Sequence, residues 1–330
     1  MIGTLNLARG YPGGVTTVSR LGKAGLAIAL TLCATGCSLT QAHSTDVPVA
    51  SLGTRTTSVS ASTAIPNPGP CGTVRKIPRW QHVIWIVLEN HGSSTALDPR
   101  TAPYLSTLAK SCAVATNVRA TAHPSLPNYL AMTSGRTHGI TDDRDPRHHR
   151  LGGSSIFSQL GKGGWRVLAE SMPRNCARTD SGAYAVRHNP ATYYTNLGRQ
   201  CTRQDRPLRS ATTLSARFTM IVPNQRNNAH DRGVESADQW LSHRLPGILA
   251  SRQYRAGRTA VFVTYDENEG TRPNRVTSVV IAPTAVAGTV STRRLTHYSL
   301  LRATQRMFGL PGIGKSRRAP LYPRAFGLHG

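Results

Sequence analysis

Acid is the scarcest chemistry in this chain. Its 330 residues hold 15 Asp and Glu against 40 Lys and Arg, a formal net charge of +25, and no acid precedes Asp46. A surface this basic does not attract cationic partners by charge. It suits phosphorylated small molecules, anionic lipid head groups or other polyanions. Lysine is scarce too: five of the 40 cations are Lys, at 23, 76, 110, 162 and 315, and 35 are Arg. Arginine pairs with phosphate bidentately. The arginines are scattered and not gathered in one run, so no specific nucleic-acid partner is implied. No Cys-x-x-Cys spacing occurs, which argues against a thiol metal knuckle. No internal repeat is present, which excludes a stacked-repeat array. The apolar stretch Ala24 to Ala34 follows Arg9, Arg20 and Lys23. It is too short to span a bilayer and has the length of a secretory h-region.

What is present begins with that leader. Residues 1–37 are expected to be a signal peptide. Ala34-Thr35-Gly36-Cys37 is similar to a lipobox, which would give a membrane tether through lipidated Cys37; cleavage after Ala42 is the alternative. Residues 38–70 are rich in Ser, Thr, Ala and Pro and read as a flexible tether. A folded domain is expected over 71–330, long enough to bury a substantial core. Four cysteines fall in it: Cys71, Cys112, Cys176 and Cys201. An even number in an exported chain suggests two disulfides, and four cysteines allow three pairings. Cys71 with Cys112 and Cys176 with Cys201 is favoured, because each pair encloses a local segment. The expected location is extracytoplasmic, secreted or membrane-anchored.

The apolar patterning predicts strands near 82–88, 165–169, 217–222, 259–265 and 276–282. It predicts helices near 102–112, 127–134, 236–251 and 298–308, the third interrupted at Pro246. Strands alternating with helices imply an α/β fold, a three-layer α/β/α sandwich with a mainly parallel sheet.

Two of the strand runs end in acid. His82 to Leu88 leads into Glu89-Asn90, and Thr259 to Tyr265 leads into Asp266-Glu267-Asn268-Glu269. Open α/β sheets bind ligands beyond the carboxyl ends of their strands, and hard cations take such oxygen donors. A serine stands nearby in kind: in His123-Pro124-Ser125-Leu126-Pro127-Asn128, Pro127 can open a helix. Ser125 then lies at a helix N-terminus, where free N–H groups favour an anion. A serine hydroxyl is a weak nucleophile until a metal or base activates it. The segment Thr137 to Gly153 adds Asp142, Asp143, Asp145, His148 and His149, either a solvated loop or a second metal site.

With these blocks in view the chain resembles the bacterial phosphoesterases that include secreted acid phosphatases and phospholipases C, in the alkaline-phosphatase superfamily. The resemblance runs from about Trp80 to Pro311. It rests on Ile86 to Asn90, His123 to Gly135, Glu170 to Pro173, Arg187 to Pro190, His230-Asp231, Thr264 to Glu267 and His297 to Arg302. It implies an alkaline-phosphatase-like fold, a phosphoesterase catalytic domain over 71–330, and a divalent metal ion held by Glu89 and Asn90, with Asp266 and Glu267 as its remaining carboxylate ligands or as groups that support the ligands. It implies Ser125 as a transiently phosphorylated nucleophile and Asn128 as a phosphoryl contact. His230 and Asp231 would stand near the phosphate, and His297 would be a phosphate contact or proton donor. His188 is structural or lines the pocket. Where relatives carry cysteines flanking the His-Asp pair, this chain has Arg226 and Arg232. The expected activity is phosphomonoester hydrolysis. The alternatives are a phosphodiesterase or phospholipase C of the same fold, and an inactive basic surface-binding protein.

Overall fold

A computed structural model describes residues 69–75, 79–209 and 214–329. The expected signal peptide, the lipobox at Cys37 and almost all of the expected tether lie outside the described residues. Among them are nine strands: β1 (His82–Leu88), β2 (Ala113–Arg119), β3 (Trp165–Ala169), β4 (Asp205–Pro207), β5 (Phe218–Val222), β6 (Thr259–Tyr265), β7 (Arg275–Ile281), β8 (Thr289–Ser291) and β9 (Leu295–Thr296). The α-helices are α1 (Ser93–Ala96), α2 (Pro103–Ser111), α3 (Ser125–Ser134), α4 (Ile156–Leu160), α5 (Arg199–Gln204), α6 (Gly233–Leu249), α7 (Arg252–Arg255) and α8 (His297–Met307). None of the described helices is long and apolar enough to cross a membrane.

The strands form one sheet in the order β4-β3-β5-β1-β6-β7-β2-β8, with β9 also on β2. Most pairs are parallel; β7 runs antiparallel to both β6 and β2. The centre is occupied by β1, whose residues from Val83 to Leu88 are all buried, and by β6, buried throughout. That is why both read as continuous apolar runs and not as alternating ones. Each such Val, Ile, Leu or Phe contributes roughly 1.5–3 kcal/mol relative to an exposed position.

The five expected strands and four expected helices are all present, with shifted ends. α3 starts at Ser125, two residues before the expected 127, and Pro127 sits in the first turn, where its missing N–H has no intrahelical bond to make. All ten residues of α3 are buried. Pro246 does not interrupt α6. The helix runs through it to Leu249. Pro246 is exposed, so water can solvate the carbonyl that its ring leaves unpaired. β2 was not foreseen, because Ala113-Val-Ala-Thr-Asn-Val-Arg119 has no sustained apolar run. The cystines are Cys71–Cys112 and Cys176–Cys201, the favoured pairing.

Candidate active site

The register of the two central strands builds the site. Leu88 lies opposite Tyr265, and the Asp266 N–H donates to the Leu88 carbonyl at 3.0 Å. Glu89 and Asp266 therefore leave adjacent strands side by side, with Asn90 and Glu267 following. Asn90 adopts a left-handed φ of 47°, a conformation asparagine tolerates better than most residues. Its N–H approaches Asp266 Oδ1 at 3.4 Å, and the Glu267 N–H donates to the same oxygen at 2.7 Å.

Ser125 sits at the start of α3 and faces these acids. Its Oγ donates to Glu89 Oε2 at 3.1 Å and lies 3.4 Å from Glu267 Oε1. Glu89, Asp266, Glu267 and Ser125 are all buried. Burial raises all three carboxyl pKa values, and their mutual repulsion adds to it; Glu267 is pushed up to about 8. Tyr129 Oη donates to the other Glu89 oxygen. His188 Nε2 stands 3.2 Å from Glu89 Oε2 but outside hydrogen-bond alignment, and burial holds its pKa well below the usual histidine range. It is a neutral ring stacked on Tyr129, centroids 5.3 Å apart.

The cationic side of the site comes from elsewhere in the chain. Arg187 donates through Nη2 to Gln225 Oε1 at 2.6 Å, lies 3.4 Å from His230 Nε2, and has Asp143 Oδ2 at 3.6 Å from its Nε. His230 Nδ1 is 2.8 Å from Asp231 Oδ1. With Nδ1–H donating to Asp231, Nε2 is left as the acceptor facing Arg187. Asp143 also accepts the Leu126 N–H at 2.8 Å, fastening the start of α3. The loop carrying His230 has no cystine. Glu170 holds it instead, accepting from the Asn224 N–H at 3.1 Å, Asn227 Nδ2 at 2.9 Å and Trp240 Nε1 at 3.2 Å. His123, Asn90, His91, His230 and Glu267 line an open cleft of about 560 Å³ over these groups.

Asn128 and His297, both expected near the phosphate, are held by contacts of their own. Asn128 is fully buried. Its Oδ1 accepts the N–H groups of Thr121 and Ala122 at 2.8 and 3.0 Å, and its Nδ2 donates to the Ala122 carbonyl at 2.8 Å. It clamps the turn leading into α3 and reaches Glu267 Oε2 only at 3.4 Å. His297, the first residue of α8, is buried behind the acids with Nε2 against the Asp266 carbonyl, and burial lowers its pKa to about 4. In the Thr137–Gly153 segment, Asp142 and Asp145 pair with Arg144, Arg147, His148 and His149 around their own turns. Only Asp143 turns inward. Sequence reasoning missed Arg187, Asp143, Tyr129 and His123 as site residues, although three of them lie within or beside the motif blocks.

The donor set fits a cation. Asp266 Oδ2 and Asn90 Oδ1 are buried and have no hydrogen-bond partner among the described residues. Three buried carboxyls around one hydroxyl, uncompensated, are costly, and oxygen donors of this kind suit a hard divalent ion. The acids spread around Ser125 Oγ. Among the described residues, the set of three or more ligand-type side chains whose atoms all lie within 4.8 Å of one another is Cys176, Cys201 and Asp205, and those sulfurs are in a disulfide.

With this geometry in hand, comparison with known proteins is direct. The profile of the Phosphoesterase family matches residues 85–311. The chain belongs to the phosphoesterase family, whose members are phosphoric ester hydrolases. It is 27% identical over 277 residues to a phosphatidylinositol-3-phosphatase of Mycobacterium tuberculosis, covering 78% of this chain and 86% of that protein. It is 29% identical over 231 residues to a phosphate-repressible acid phosphatase of Penicillium chrysogenum, covering 64% of this chain and 55% of that protein. The chain thus spans only about half the length of the fungal relative. Among solved structures, a protein in the alkaline phosphatase superfamily from Vibrio parahaemolyticus superposes with a TM-score of 0.52 at 12% identity, over 77% of this chain and 73% of that one. A lipoteichoic acid synthase from Listeria monocytogenes gives 0.52 at 11%, over 77% and 78%. These two show the fold alone, and the fold agrees with the mainly parallel α/β sheet expected.

Proposed function

We propose that the chain is an extracytoplasmic, metal-dependent phosphatase that hydrolyses phosphomonoesters through a phosphoserine at Ser125. The observation that carries this reading is the Ser125 hydroxyl within 3.1 Å of Glu89 and 3.4 Å of Glu267, two carboxyls on which the Arg187 charge also acts. Glu89, Asn90, Asp266 and Glu267 would hold the divalent ion. When bound, such an ion supplies positive charge that favours the serine alkoxide and polarises the phosphoryl group.

The chain's own groups do the rest. Ser125 passes its hydroxyl proton to the Glu89 carboxylate it faces, its Oγ attacks phosphorus as the ester P–O bond breaks, and the proton returns to Oγ when water cleaves the phosphoserine P–O bond. Arg187, braced by Gln225 and Asp143, binds equatorial phosphoryl oxygens, where charge is spread in the transition state. His230, held by Asp231 through Nδ1, acts in the first step with both ring nitrogens protonated: Nε2 gives its proton to the leaving oxygen, is left as an acceptor, and then takes a proton from the water that attacks the phosphoserine. Asn128 and His297 are positioning residues, the first for the turn before Ser125 and the second for the Asp266 backbone.

Two further features support parts of this reading. The pair of disulfides suits an oxidising compartment, and a signal peptide over 1–37, with or without a lipid on Cys37, would deliver the chain there. The mycobacterial relative's name points to a phosphomonoester on a lipid head group as one substrate class. The decisive experiment is kcat/KM on a soluble monoester and its matched diester, with and without chelator, for the parent and Ser125→Ala. The expected result is a monoester preference, loss with chelator, and a fall of at least about a thousandfold in the variant. A faster diester, or a soluble variant retaining a tenth of the activity, overturns it.

A further inference from the structure

A second site stands on the other side of the α8 N-terminus. Gly135 ends α3 at a φ of 71°, and Gly314 has a φ of 50°. Their backbones touch: a Cβ on Gly135 would lie 2.3 Å from the Ile313 carbonyl oxygen, and one on Gly314 would lie 2.5 Å from the Gly135 carbonyl oxygen. Only glycines allow this approach. The Lys315 N–H then donates to the Gly135 carbonyl at 2.9 Å. The turn is anchored from within by Ser316, fully buried, whose Oγ donates to Gln305 Oε1 at 2.7 Å. With Ser316 inward, Lys315, Arg317 and Arg318 project outward beside Arg136.

The result is a cleft of about 600 Å³ whose walls include those four cations, Thr296 and Tyr298, and no acid. None of the four is in an ion pair among the described residues; the arginines that are so paired are 100, 144, 147, 187 and 244. Tyr298 is 8% exposed. Its Oη is buried without a hydrogen-bond partner among the described residues. Thr296 and Tyr298 also flank the first residue of an eleven-residue helix, whose first N–H groups have no intrahelical acceptor. Four like charges gathered around an unpaired hydroxyl are an arrangement that an anion relieves.

We infer that this cleft is a binding site, separate from the catalytic one, for a soluble ligand carrying two or more phosphate groups. The two clefts share no wall residue. With a volume of about 600 Å³ the groove has the size that a small soluble molecule fills. Bidentate contacts from Arg317, Arg318 and Arg136 suit paired phosphates. The inference does not depend on the catalytic reading.

The probe is methylenediphosphonate, whose P–C–P link resists hydrolysis, titrated calorimetrically into the full chain. A binding event is expected that weakens about tenfold or more in the Lys315→Ala/Arg317→Ala variant and in Arg136→Ala. In both, kcat/KM for p-nitrophenyl phosphate is expected to stay within about twofold of the parent, and the thermal midpoint to be unchanged. Binding that is equally tight in both variants, or absent in the parent, overturns the site. A second arm uses phosphatidylcholine vesicles with and without a phosphoinositide. Vesicle capture lost in the same variants, with no binding of methylenediphosphonate, overturns the soluble ligand in favour of a membrane face.

Discussion

The cleft at the strand ends and the groove beside α8 are opposites in charge and in construction. The first gathers Glu89, Asp143, Asp266 and Glu267, four of only 15 acids, mostly on buried strand ends. The second gathers Arg136, Lys315, Arg317 and Arg318 on exposed turns. α8 touches both, through His297 behind Asp266 and through Tyr298 in the groove. The contrast shows how burial changes the cost of charge. Water and salt moderate the crowded arginines, so that site can stand open. Buried carboxyls have no such relief, and their pKa values rise until a cation or proton compensates them.

The comparison can be broken most severely at Asp266. Asp266→Asn should lower kcat/KM by about a thousandfold or more, since it removes a buried donor from the centre of the cleft. Monoester turnover together with metal titration would check this, and near-parental turnover would remove Asp266 from the proposed ligand set. A smaller loss is expected for Arg187→Gln, about ten- to a hundredfold in kcat/KM, because the proposed phosphoryl clamp is lost while the proposed nucleophile stays. Equal losses for Arg187→Lys and Arg187→Gln would show that bidentate geometry, and not charge alone, carries the effect. Ionic strength sharpens the contrast further. Raising salt from low to physiological should weaken the diphosphonate event in the groove several-fold, and change chelator-sensitive turnover less.

The smallest effect concerns a buried acid that belongs to neither region. Asp205 is fully buried, accepts from Asn189 Nδ2 at 3.0 Å, and burial raises its pKa to about 7. The unfolded chain loses this proton near 3.8, the folded chain only near 7. Between those values the folded state binds more protons, so stability falls as pH rises through the window and stays low above it. Asp205→Asn should therefore be more stable than the parent at pH 8, by roughly 1–3 kcal/mol, and closer to it at pH 4. Denaturant midpoints at the two pH values test the sign.

Much of the cleft was legible because its acids are rare and end continuous apolar runs. Glu89 and Asp266 needed only parallel pairing of β1 and β6 to come together. Arg187 and Asp143 were not legible in the same way. Each lies in an irregular segment, and nothing local tells an inward-turned Asp143 from its neighbours Asp142 and Asp145, which serve their own turns. His297 illustrates the converse. A histidine opening a helix beside a catalytic block suggests chemistry, but whether its ring faces the cleft or the core is decided by packing of α8 on the sheet. β2 escaped because its half-buried polar residues Thr116, Asn117 and Arg119 break the apolar run that marked β1, β6 and β7.

The Cys71–Cys112 bond has a mechanical consequence. It joins the start of the domain to the junction between α2 and β2, across a separation of 41 residues. Any tension arriving along the polypeptide before Cys71 would divide there. Part of it would pass through a covalent link into β2, which is flanked by β7 and β8, and so would not bear wholly on the entry to β1. If the chain is held to a surface by its leading end, the strand that carries Glu89 is thereby shielded from the pull.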